Sequence, residues 1–287
     1  MTARVSFADR AGRALYALGG IAVFAAVGLG LAWVLARVNP VAPQSPWRDA
    51  ATAFGACAAL GVSTWLFGVR VGGRTWTHWG WPGHESLLRP WASGVGLGLL
   101  MAALAVGLGF VASRATVRLT GEWSRYLDAA GPLVVFLALA ALREELLFRG
   151  YPLRRLADAL GPWAALGVFS LGFAASHLPN PNIGPIGIAN IALAGVWLSF
   201  AFFSPGGMPL AWGLHVGWNA GLGLVFDAPV SGQRLMLPAV EYVPGKHAWI
   251  DGGAFGPAGG VVATVVLIAG TLAVIGKRVR QPKEWLV

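Results

Sequence analysis

Leu133-Val134-Val135-Phe136-Leu137-Ala138-Leu139-Ala140-Ala141 runs directly into Leu142-Arg143-Glu144-Glu145-Leu146-Leu147-Phe148-Arg149, and this join decides how the chain is read. An apolar stretch of the kind that enters a bilayer ends in two adjacent carboxylates flanked by arginines. Each charge at bilayer depth costs about 2.5–3.5 kcal/mol on insertion scales, so such groups rarely sit there without a task. Two histidines, His177 and His215, and one asparagine, Asn219, also fall inside apolar segments. A Glu, His and Asn set within a membrane protein points to proton-transfer chemistry.

The composition fits. Of 287 residues, 56% are hydrophobic and only 11% charged, against about 25% charged in soluble domains. The 41 glycines suit close helix approach and the 14 tryptophans suit the headgroup interface. The net charge of +9 is spread over short loops without a basic, aromatic-interleaved face, so no nucleic-acid partner is expected; the bilayer is. Cys57 is the single cysteine. It excludes an intramolecular disulfide and reads as a small buried hydrophobe.

Working outward, eight segments are apolar enough to span, or nearly span, a bilayer: Ala14–Ala36, Ala50–Val69, Trp91–Ala112, Gly131–Phe148, Pro162–His177, Pro185–Phe203, Met208–Phe226 and Pro257–Ile275. The expected fold is all-α, a polytopic membrane protein of about eight transmembrane helices around a cytoplasm-facing polar cavity. Residues 1–287 form one integral membrane domain, with a catalytic core at about 131–226. One side would hold Arg4, Arg10, Arg13, Arg70, Arg74, Arg89, Arg149, Arg154, Arg155, Lys277, Arg278, Arg280 and Lys283. The other would hold Arg37, Arg48, Arg114, Arg118, Arg125, Arg234 and Lys246. The positive-inside rule then places both termini in the cytoplasm, and the membrane is the plasma (inner) membrane if the source is prokaryotic. The Pro- and Gly-punctuated stretch 227–256 is expected as an outer loop, with short strands or a lid.

On a helix Glu144 and Glu145 point about 100° apart, so they cannot share one job. Glu145 and Arg149 are i, i+4 and suited to an ion pair. That leaves Glu144 without such a partner, as a general base requires. The bland alternative is that all these charges snorkel to the headgroups. His177, near a helix end, fits a cap or interface residue as well as a catalyst. His215 and Asn219, also i, i+4, share one face and could serve as an interhelical clamp. Counting at about 1.5 Å per residue puts Glu144 8–10 Å from the inner end of its helix and His177 about 20 Å from the start of its own. Tilt, or a helix that starts outside the bilayer, must close that gap.

Glu144-Glu145-x-x-x-Arg149, Phe173-x-x-x-His177 and His215-x-x-x-Asn219, in that order on three apolar segments, resemble the signature of the CPBP family. These are the type II CAAX prenyl endopeptidases and the related bacteriocin-processing and abortive-infection proteins. The resemblance covers about Gly131–Phe226. It implies a glutamate-dependent intramembrane endopeptidase acting on a peptide or membrane-protein substrate, with no cofactor and no metal. By the same resemblance Glu144 is the general base, His177 holds the water, and His215 and Asn219 stabilise the oxyanion. Glu145 and Arg149 are then structural supports. Three other readings remain: a zinc peptidase with His177, His215 and Glu144 as ligands, a non-enzymatic immunity or scaffold protein, and a proton-coupled transporter. Oligomeric state is not legible.

Overall fold

The computed structural model describes residues 7–83 and 86–278. Arg4, Arg280 and Lys283, counted in the charge asymmetry, lie outside the described residues. Helix α1 is Phe7–Arg37, α2 is Arg48–Thr64 with a wide π-helical continuation Trp65–Val71, and α3 is Leu88–Ser113. Then follow α4 (Trp123–Phe148), α5 (Tyr151–Leu160), α6 (Pro162–Ser176) and α7 (Pro185–Phe202). Helix α8 is Gly207–Ala220, continued by a π turn at Gly221–Val225, α9 is the single turn Ala248–Asp251, and α10 is Val261–Arg278.

Every segment expected to be apolar and helical contains a helix, but their lengths differ from the expectation. Among the described residues, four helices are long and apolar enough to cross a membrane, within Ala11–Arg37, Arg48–Val71, Leu88–Ser113 and Pro185–Phe202; Pro162–Ser176 and Val261–Gly276 are apolar but shorter. Helix α4 starts at Trp123, not Gly131, and runs through Pro132. Arg125, Asp128 and the Gly131-Pro132 pair suggest a boundary in sequence, whereas a proline within a membrane helix is tolerated when the freed carbonyl finds another partner. Large apolar side chains such as Val111, Leu127, Trp163 and Leu171 are more than two-thirds exposed, as lipid-facing residues of an integral membrane protein are.

The fold is all-α except for one small antiparallel sheet, β1 (Thr116–Leu119) with β2 (Val240–Val243), in the register Thr116↔Val243 to Leu119↔Val240. Stretch 227–256 therefore does carry a strand. The rest of it is pinned: buried Asp251 accepts the backbone N–H groups of Gly245 and Gly253, and the Asn180 amide donates to the Ser231 carbonyl at 3.0 Å.

Two features set the site. The first is the α3–α8 contact. Gly94-x-x-x-Gly98 and Gly213-x-x-x-Gly217 face each other so closely that a Cβ on Gly98 would meet the Leu214 carbonyl, and one on Gly217 the Val95 carbonyl. Small-xxx-small spacing lets membrane helices touch backbone to backbone. His215 and Asn219 follow Gly213 and Gly217 by two residues, about 200° around α8, so fixing one face against α3 aims the other at the site. The second is α5. Helix α4 ends inside the protein, where Arg149 and Gly150 are buried. Helix α5 then travels along α1, its Tyr151 stacked on Phe24 and its Arg155 over Tyr16. At Gly161 (φ 89°) the chain reverses into α6. Seven residues from Glu144 to Tyr151 and ten in α5 amount to about 25 Å, and the fifteen of α6 to about 22 Å. These similar lengths account for the depth gap in simple counting.

Candidate active site

Glu144, His177, His215 and Asn219 line one cavity of about 570 Å³. The carboxylate of Glu144 lies where three elements meet: its Oε2 is 4.0 Å from His177 Nε2 and 3.7 Å from His215 Nε2. Arg143 Nη2 approaches the other oxygen at 3.4 Å. The Glu144 side chain keeps 21% of its surface exposed. Glu145, one residue on, keeps none.

Glu145 is the centre of a buried ionic cluster. Its Oε1 accepts from Arg149 Nη1 at 3.3 Å and from His215 Nδ1 at 2.8 Å. Arg149 also reaches the Gly195 carbonyl of α7 at 3.5 Å and lies over the Phe173 ring of α6 at 4.2 Å. One carboxylate and one guanidinium thus tie α4 to α6, α7 and α8. The i, i+4 pair is as expected, but Arg149 is fully buried and does not belong with the loop charges used for topology. The snorkelling alternative fails for this pair.

The hydrogen bonds define the imidazoles. A carbonyl or carboxylate oxygen only accepts, so the 2.8 Å contacts of His177 Nδ1 with the Phe173 carbonyl and of His215 Nδ1 with Glu145 place a proton on each Nδ1. When either ring is neutral, its Nε2 is therefore an acceptor, and both Nε2 atoms look towards Glu144 Oε2. The Nε2 of His215 can donate only when that ring carries both protons. Asn219, half-buried, lines the cavity, and its side-chain amide makes no hydrogen bond to any described residue. Among the described residues, no group of three His, Cys, Asp or Glu is disposed to hold a metal ion. Cys57 lies in α2 with its thiol donating to the Leu139 carbonyl at 3.1 Å.

Several wall residues escape sequence reasoning. Ser231 and Gln233 of the 227–256 stretch line the cavity, as do Leu29 and Thr52 from the finishing end of α1 and the starting end of α2. Nothing local in sequence marks contacts across such separations. They also show that the cavity lies towards the end of the bundle where α1 finishes, away from its N-terminus.

Residues 127–221 match the model of the Rce1-like type II CAAX prenyl endopeptidase family. The matched stretch runs from early α4 to the end of α8 and holds all six residues of the cluster. The similarity is to a family of intramembrane proteases, some of whose members are non-catalytic, and it covers about a third of the chain. Neither the curated proteins nor the solved structures contain a match to the chain.

Proposed function

We propose that the protein is an intramembrane endopeptidase that hydrolyses a peptide bond near the membrane surface, with a water activated by Glu144. The observation that carries this reading is the convergence of Glu144 Oε2, His177 Nε2 and His215 Nε2 within 4.0 Å, beside the free amide of Asn219, in a cavity open to a substrate. A water between Glu144 and His177 meets two acceptors, one for each of its protons, which leaves its lone pairs for the scissile carbonyl. Glu144 takes one proton as the water attacks and passes it to the leaving amine. The oxyanion that forms is met by the Asn219 amide and by Nε2–H of doubly protonated His215. Each such donor is worth about 2.7–4 kcal/mol of transition-state stabilisation. Glu145 acts through His215, and Arg149 holds Glu145.

The test is cleavage of a membrane-tethered peptide library by purified wild type and Glu144→Gln, with and without chelator. Chelator-resistant cleavage absent from the variant supports the mechanism. Chelator-sensitive cleavage replaces it with a metal peptidase, and equal cleavage by both proteins removes Glu144 from the reaction.

A further inference from the structure

At the far end of the bundle from the catalytic cavity, a second cavity of about 690 Å³ lies between α1, the π-helical end of α2, and α5. Helix α1 shows the separation by itself: Leu29 and Ala32 line the first cavity, Leu15 to Val23 the second. The second has two kinds of wall. Leu15 and Val71 are apolar and 70% and 74% exposed, so this wall continues onto the lipid-facing surface. The other wall carries Arg74, Arg155 and Asp158.

The charges there do not cancel. Asp158 is already engaged: its Oδ2 is 2.8 Å from His78 Nε2 and its Oδ1 is 3.2 Å from Arg154 Nε. Arg74 and Arg155 have no carboxylate partner among the described residues. Arg155 rests over the Tyr16 ring at 4.9 Å, with its Nε buried and without a hydrogen-bond acceptor. A buried N–H left unpaired is costly, and a guanidinium with free donors matches phosphate oxygens.

We propose that this cavity binds the phosphate of an anionic phospholipid, with Arg74 and Arg155 on the headgroup and the acyl chains against the apolar wall of α1 and α2. The open apolar wall favours a lipid over a soluble anion, which would leave that wall uncovered. The exposed rings of Tyr16 and Trp76 mark this end as headgroup level. The site is independent of the peptidase assignment.

Native mass spectrometry of the full chain in detergent tests it, with phosphatidylglycerol, phosphatidylcholine or inorganic phosphate as probes. Wild type should retain phosphatidylglycerol in preference to phosphatidylcholine. Arg74→Gln/Arg155→Gln should weaken phosphatidylglycerol binding by about 30-fold, at about fivefold per juxtamembrane cation. Arg154→Gln removes an equal charge from the same helix outside the cavity and should keep the preference. If the double variant melts early without lipid, Arg74→Gln alone carries the test, with about a fivefold loss expected. Equal retention of the two lipids, the same loss in Arg154→Gln, or saturation by inorganic phosphate alone would each overturn the proposal.

Discussion

Glu144 and Glu145 are neighbours in the chain but occupy different media: one keeps a fifth of its side chain open to a cavity, the other has none exposed. A single residue step turns a helix by about 100°, and that step separates a cavity wall from a packed interior. Glu145 faces the packing of α6, α7 and α8, where Arg149 and His215 both donate to it. Glu144 faces the space where two imidazole nitrogens stand 3.7 and 4.0 Å away, close enough to share a water with it. In the proposed mechanism the buried carboxylate holds the donors still and the open one is left for substrate, so that identical side chains would take opposite roles through the face of the helix they occupy.

The sharpest way to break this comparison is to neutralise each glutamate in turn. Glu144→Gln keeps the shape and removes the basicity; turnover should fall by about 10²- to 10⁴-fold, while the melting temperature stays near that of wild type. Glu145→Gln should above all cost stability. It leaves Arg149 as an uncompensated buried charge, at about 3–5 kcal/mol, read as lost abundance and early melting. Adding Arg149→Met should recover most of that stability, since removing both partners of a buried pair is often neutral. If Glu145→Gln melts like wild type, the buried cluster is not what holds the helices. Asn219→Ala extends the comparison to the oxyanion side. It should lower kcat by about 10²- to 10³-fold with little change in folding. A clamp role would instead show as lost stability with activity per folded molecule preserved.

The division between the glutamates was legible in the sequence, because i, i+4 spacing pairs Glu145 with Arg149 and leaves Glu144 over. The shared face of His215 and Asn219 was legible for the same reason. The bond between Glu145 and His215 was not: seventy residues separate them, and no periodicity reports a contact between helices. Helix α5 was missed because Arg154, Arg155 and Asp158 look like loop charges, although Tyr151, Leu153 and Leu156 turn a buried face to the core. Its absence from the reading produced the depth gap. Boundaries agree to within one residue at α6 and at α8 with its π turn, whereas the start of α4 lies at Trp123 rather than Gly131. The glycine pairs of α3 and α8 were in plain view as two G-x-x-x-G spacings, but only the contact shows that they face each other.

Gln233 bears on the mouth of the cavity rather than its floor, and the expected effect is the smallest. Its side chain is exposed, lines the cavity wall and makes no hydrogen bond to a described residue, while its backbone bridges Val230. A group so placed can meet a peptide on its way to Glu144 but cannot reach the charge that develops there. Gln233→Ala should therefore raise KM about fivefold, the worth of one ordinary hydrogen bond, and leave kcat unchanged. A fall in kcat like that of Asn219→Ala would instead make the 227–256 stretch part of the transition-state machinery. The same position reports orientation. In a Cys57→Ala background, the cysteines of Gln233→Cys and Arg13→Cys should react with an impermeant maleimide from opposite faces of the membrane. Labelling of both from one face would contradict the placement of the cavity at the end of the bundle away from the N-terminus.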